Sequence, residues 1–144
     1  MSMAEHPVKL ILDTSIYIPY INQGITHPII ESHHGRPLIY MSAVVLEELY
    51  AGALDIHSVK LLDKMYDTFS GMSRLIIPDA VDWQKTGKVI AQLGNKYGFE
   101  QLYLSRLTND VLIAATARKM GAVVATNNIK DFLRIQEYID FKIY

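Results

Sequence analysis

The chain has 144 residues, no cysteine and a formal net charge of −1. Half of it is apolar and a fifth is charged, which is the composition of one packed domain over residues 1–144 and not of a disordered segment. The missing cysteines remove disulfides, zinc–thiolate sites and thiol nucleophiles, and the balanced charge removes the broad basic face of many nucleic-acid binders, so a phosphate-backbone partner must be held by a local patch or through metal ions.

No apolar stretch approaches the roughly 20 residues of a membrane span. The opening Met1-Ser2-Met3-Ala4-Glu5-His6-Pro7 lacks the build of a signal peptide. A cytoplasmic location is therefore expected.

In chain order, residues 8–12 form a short apolar run, Val8-Lys9-Leu10-Ile11-Leu12, that reads as a buried parallel strand ending at Asp13. An acid at the carboxyl end of such a strand is where open α/β sheets place chemistry. Asp13 also caps a helix expected over 15–22, and a carboxylate with two oxygens can do both. Helical patterning follows over 26–34. A strand at 38–41 leads into a helix over 43–54 that Ser42 caps. Within it, the adjacent Glu47 and Glu48 point about 100° apart. Val45, Leu46, Leu49, Gly52 and Ala53 define the apolar face. Glu47 falls nearly opposite that face and is solvated, while Glu48 falls at its edge and leans over the sheet.

A helix over 58–70, a strand at 74–77 and a helix over 80–97 capped by Asp79 come next. Residues 98–108 read as a loop over the site. A helix over 109–120 opens on Asn109-Asp110, where the macrodipole favours a carboxylate whatever else it does. Its inner face is Ile113, Ala114, Ala117 and Gly121, and Gly121 stands where a left-handed cap is expected. The chain closes with a strand at 122–125, a polar turn Thr126-Asn127-Asn128, a helix over 129–138 and a strand at 141–144. Strands alternating with helices predict an α/β fold with a mostly parallel central sheet of about five strands flanked by helices.

Three acids on separate elements, Asp13, Glu48 and Asp110, are expected to converge on a hard divalent cation. Each also has a plainer role, as cap, surface acid or helix-dipole partner. The histidines His6, His27, His33, His34 and His57 lie outside these segments. Among the cations, Lys9, Arg36, Lys85, Lys88, Lys96, Arg106 and Lys130 are candidate phosphate contacts, with Arg106 preferred for its place beside the supposed loop. The helices over 26–34 and 58–70 carry more Ile, Leu, Met, Tyr and Phe than one small sheet needs, which predicts a homodimer.

Four segments, Leu12-Asp13-Thr14-Ser15, Glu48-Leu49-Tyr50-Ala51-Gly52, Asn109-Asp110-Val111-Leu112-Ile113-Ala114-Ala115-Thr116-Ala117 and Ala125-Thr126-Asn127-Asn128-Ile129-Lys130-Asp131-Phe132, occur in this order across most of the chain. Together they resemble the PIN-domain family, and within it the VapC-like toxins of toxin–antitoxin pairs. The resemblance implies a PIN-like fold and a Mg2+- or Mn2+-dependent endoribonuclease acting on RNA. It matches Asp13, Glu48 and Asp110 to the family's metal-binding acids and Thr14 and Thr126 to its polar support positions. It implies a small antitoxin protein as partner and adds weight to a homodimer. The pattern departs at the fourth acid: many members carry Asp two residues after the strand-end Thr, where this chain has Asn128. Either Asp131, one turn further, stands in, or the second metal site is weak.

Two rivals stay open at this level. A receiver-like phosphoryl-transfer domain also clusters acids at strand ends, but it needs an acidic pair where this chain has Thr14 and Ser15, and a Walker-type glycine loop is absent. A non-catalytic PIN-like interaction domain with a degenerate site draws its support from Asn128.

Overall fold

A computed structural model describes residues 7–25 and 37–144. The helix expected over 26–34, with His27, His33 and His34, lies outside the described residues, as do His6 and Arg36. Strands β1 (Lys9–Leu12), β2 (Leu38–Ser42), β3 (Leu75–Ile76), β4 (Val123–Ala125) and β5 (Lys142–Ile143) form one five-stranded sheet in the order β3-β2-β1-β4-β5, with every pair parallel. The described residues add helices α1 (Thr14–Gln23), α2 (Ala43–Ala51), α3 (Ile56–Gly71), α4 (Ala80–Tyr97), α5 (Gln101–Met120) and α6 (Ile129–Ile135). None of these helices is long and apolar enough to cross a membrane.

The strand order decides where a site can form. From β1 the chain steps to β2 and β3 on one side, then returns to place β4 and β5 on the other. Succession reverses between β1 and β4, and a crevice opens beyond the carboxyl ends of two strands at such a switch point. Asp13 follows β1 and Thr126 follows β4. The Asp13 amide donates to the Ala125 carbonyl at 3.1 Å, tying the two strand ends together. These central strands are covered by helices, so they read as unbroken apolar runs. Leu10, Ile11, Leu12, Val124 and Ala125 are all buried, and Val111, Leu112, Ile113, Ala114 and Ala117 of α5 join the same core.

Helix ends follow from local side chains. Ser42 caps α2 by accepting from the Val44 amide at 3.2 Å. Asp55 caps α3 by accepting from the Ser58 amide at 2.8 Å. Asp79 and Asp82 cap α4 reciprocally, each side chain accepting from the other's amide at 2.9 Å. Gly121 closes α5 at φ 69°, a left-handed conformation that costs glycine little.

The fold departs from the sequence reading most at 98–108. Residues 101–108 are not a loop but the first turns of α5, which starts at Gln101. Glu100 stands at the amino-terminal end without a side-chain capping bond, so no cap announces the helix. Tertiary packing forms it: Leu107 is buried in the core, and Leu104 lies so close to Gly94 of α4 that a Cβ there would come within 3.1 Å of it. The remaining differences are at ends. Helix α2 stops at Ala51 and α6 at Ile135, and the strands expected at 74–77 and 141–144 shrink to Leu75–Ile76 and Lys142–Ile143. Those two strands are the sheet's edges, where pairing comes from one side only.

The buried Asp82 joins α4 to α5 through Lys119, whose Nζ lies 2.6 Å from Asp82 and 3.4 Å from Asp79. Asp82→Ala removes the reciprocal cap and Lys119's nearer partner, and should lower the unfolding free energy by about 1–2 kcal/mol. Urea denaturation reads this directly, and an unchanged midpoint would place the stability of the α4–α5 pair elsewhere.

Candidate metal centre

Asp13 is the most constrained of the acids. As β1 gives way to α1, its side chain accepts from the Ser15 amide at 3.1 Å, the capping bond expected of it. Ser15 Oγ donates to the same oxygen, Oδ1, at 2.5 Å, and Thr126 Oγ1 donates to Oδ2 at 2.5 Å. The turn after β4 fastens both hydroxyls in place. The Asn127 amide donates to Ser15 Oγ at 2.9 Å, and the Asn128 amide donates to Thr126 Oγ1 at 2.8 Å. Asp13 is only 4% exposed. Burial raises its proton affinity, and the hydroxyl and amide donors of Ser15, Thr126 and Ile16 pull it back down.

Glu47 is exposed and Glu48 half-buried, as their places on the helix require. Thr14 Oγ1 donates to Glu48 Oε1 at 3.0 Å. Burial raises the proton affinity of Glu48 most; the Thr14 and Asn109 hydrogen bonds lower it, and the charges of Glu47 and Asp13 raise it again.

Asp110 lies well inside α5 and does not open it. The macrodipole account of this residue is therefore wrong, because that effect fades beyond the first turn. Its pKa is pushed up to about 8, first by burial and then by the charges of Asp13, Glu48 and Asp131. No hydrogen bond counters these causes. Like charges in a desolvated pocket repel, and the carboxylate with no donor keeps its proton.

All the acids singled out from the sequence, Asp13, Glu48, Asp110 and Asp131, line one cavity of about 490 Å3 together with Asn128. Among the described residues no three acids or imidazoles already stand as a closed ligand set. The convergence expected from the sequence thus reaches a common cavity and stops short of a ready-made cage. The side chains able to ligate there are hard oxygen donors, with no thiol or imidazole among the lining residues, which suits Mg2+ or Mn2+ over a softer metal. A cation would also offset the burial and the neighbouring charges that raise Asp110. Arg106 lines the same cavity, its guanidinium 5.8 Å from the Tyr103 ring. His57, on α3, does not line it.

Ser15, Asn109 and Tyr103 are among the lining residues that were not assigned to the site from the sequence. Ser15 stood next to Asp13 but was counted only as a helix start. Asn109 adjoined Asp110 without a partner to suggest its bond to Glu48. Tyr103 was hidden in the stretch taken for a loop.

A family model described as PIN domain matches residues 10–138. A chain from Rickettsia felis, Ribonuclease VapC1, is 34% identical over 132 residues, covering 88% of this chain and 90% of that protein. Among solved structures, VapBC2 from Rickettsia felis bound to a promoter DNA fragment matches with a TM-score of 0.67 at 25% identity, over 95% of this chain and 98% of that one. DNA-bound VapBC from Salmonella typhimurium matches with a TM-score of 0.65 at 25% identity, over 95% and 97%.

The state of Asp110 has a thermodynamic consequence. With its folded pKa near 8 against an ordinary 3.8, the folded state holds this proton more tightly than the unfolded state does. That contribution to stability is complete below about pH 4 and is lost as pH rises through about 8. In chelator, Asp110→Asn should melt like the parent at low pH and increasingly above it as pH rises, by on the order of a few kcal/mol at pH 9. Parallel melting curves that show no widening gap would overturn the raised proton affinity of Asp110.

Proposed function

Because the chain belongs to the PIN-domain family, on its VapC-like side, we propose that it is a Mg2+- or Mn2+-dependent endoribonuclease, the toxin of a toxin–antitoxin pair, acting in the cytoplasm. One observation carries the chemistry: carboxylates from the end of β1 and from α2, α5 and α6 line one cavity at the sheet's switch point, where burial first and the neighbouring acids second push Asp110 up to about 8. In this proposal Asp13, Glu48 and Asp110 hold the cation. When bound, the cation supplies charge neutralisation at the scissile phosphate and lowers the pKa of a water so that it can attack at neutral pH.

The rest of the work belongs to the chain. The hydroxyls of Ser15 and Thr126 fix both oxygens of Asp13, and the Thr14 hydroxyl fixes one oxygen of Glu48, so these ligands pay little ordering cost on binding. Those donors also offset part of the rise in proton affinity that burial imposes on Asp13. Arg106, exposed at the cavity's rim, meets a phosphate oxygen of the RNA. The receiver-like alternative is set aside by the family, and the non-catalytic one is what the cleavage assay decides.

The solved VapBC relatives support a small antitoxin protein as partner. A homodimer draws support from Ile77 and Trp83, which are 68% and 54% exposed and line one concavity with Pro78 and Val44, an apolar patch that a second copy would cover. Light scattering at micromolar concentration should show a dimer, and Trp83→Glu should shift it to monomer. A monomeric parent removes this part of the proposal.

The decisive test of the activity is Asp13→Asn. Cleavage of structured RNAs in Mn2+ should fall to background, as it should for the parent in chelator, because a hard cation loses most when an anionic oxygen is replaced by an amide. The melting temperature should change little, since Asn caps a helix about as well as Asp. Undiminished cleavage by the variant would take Asp13 out of the site, and a parent inactive on every RNA would favour the non-catalytic domain.

A further inference from the structure

Both oxygens of Asp131 are engaged. The Tyr103 hydroxyl donates to Oδ1, and the Asn128 side-chain amide donates to Oδ2 at 2.8 Å. Tyr103 is itself held from two directions. Arg134 Nη1 donates to its hydroxyl oxygen at 3.3 Å, and Phe99 meets its ring edge-on with centroids 4.6 Å apart. The Arg134 guanidinium lies 4.9 Å from the Phe99 centroid and 5.1 Å from that of Tyr97, and those two rings stack on each other. Such cation–ring contacts lock a planar guanidinium in orientation as well as place. The Tyr97 hydroxyl donates to Glu137, and Lys96 Nζ reaches the same carboxylate at 2.6 Å. The turn between α4 and α5 is thus clamped to both ends of α6, and Tyr103 is the link that faces the acid cavity.

Asn128 occupies the position at which the PIN-like pattern has its fourth acid. Its amide nitrogen is a donor without a lone pair for a cation, and here that donor is used on Asp131. Asp131 lines the cavity, and its charge is one of those that raise Asp110.

We infer that Tyr103 is a positioning residue that, together with Asn128, holds the Asp131 carboxylate at the rim of the acid cavity. The inference rests on the metal-dependent nuclease proposed above. A Tyr103 that merely packs would affect folding but not the cation.

The experiment measures Mn2+ binding by calorimetry, the Mn2+ dependence of RNA cleavage, and melting, for the parent, Tyr103→Phe, Asp131→Asn and the double variant. Tyr103→Phe keeps the ring and its contact with Phe99, so its melting temperature should stay close to the parent's. Its Mn2+ affinity should drop roughly 10–100-fold, the usual range for a group that orients a ligand, with cleavage restored at saturating Mn2+. Adding Tyr103→Phe to Asp131→Asn should cost nothing more, because the hydroxyl acts only through that carboxylate. Unchanged Mn2+ affinity in Tyr103→Phe, penalties that multiply in the double variant, or a parent that binds no Mn2+ would each overturn the inference. A parent that binds Mn2+ without cleaving any RNA would instead overturn the nuclease, and the loss of affinity in Tyr103→Phe would still establish the positioning role.

Discussion

A carboxylate taken out of water keeps its charge only where something answers it. At Asp13 the answer comes from the Ser15 amide, the Ser15 hydroxyl and the Thr126 hydroxyl. Glu48 accepts from Thr14 and Asn109, which offset part of its rise on burial, and Asp131 accepts from Tyr103 and Asn128. At Asp110 no donor answers. The cavity therefore contains three anchored acids and one that responds to its surroundings, and that inequality organises the rest. The other three acids each accept hydrogen bonds, while burial first and then their charges push Asp110 up to about 8. A site built from four equally satisfied carboxylates would gain little from a cation.

The backbone supplies the donors because of where the sheet reverses. β1 and β4 are neighbours in space and far apart in sequence, with Leu12 paired to Ala125. The residues after each strand end thus interlock: Ser15 and Thr126 share Asp13, and Asn127 closes back on Ser15. Here the register does chemical work. A slip of one residue in the β1–β4 pairing would turn the strand side chains to the opposite face and separate these hydroxyls from the acid they hold.

How much of this was legible in the sequence depended on whether local chemistry or distant packing placed each residue. Asp13, Ser42, Asp79 and Gly121 could be read because caps and strand ends are written in a few adjacent residues. Glu47 and Glu48 could be told apart because a helix of known period turns neighbours to different sides. The start of α5 could not be read, because Leu104 and Leu107 are helical on account of what they meet in α4 and the core and not through any cap. That error hid Tyr103 and also misplaced Asp110 at a helix terminus, replacing an electrostatic problem among four acids with a helix-dipole effect. The Tyr103 bond to Asp131 was likewise beyond the sequence, since the two residues are 28 apart in the chain.

The Tyr103 relay explains why an uncharged residue at 128 need not empty the site. An Asp at 128 would stand beside Asp131 with two charges and no donor between them, and each would raise the other's proton affinity. With Asn there, the same side chain becomes a clamp, and the charge rests on one residue whose two oxygens are both engaged. The cost is that the fourth acid depends on the α4–α5 turn: Arg134 holds the Tyr103 hydroxyl only while Tyr97 and Phe99 hold Arg134. In the proposed relay the cavity's rim is linked to part-buried aromatics packed against the core, Tyr97 and Phe99, through the Tyr103 hydroxyl.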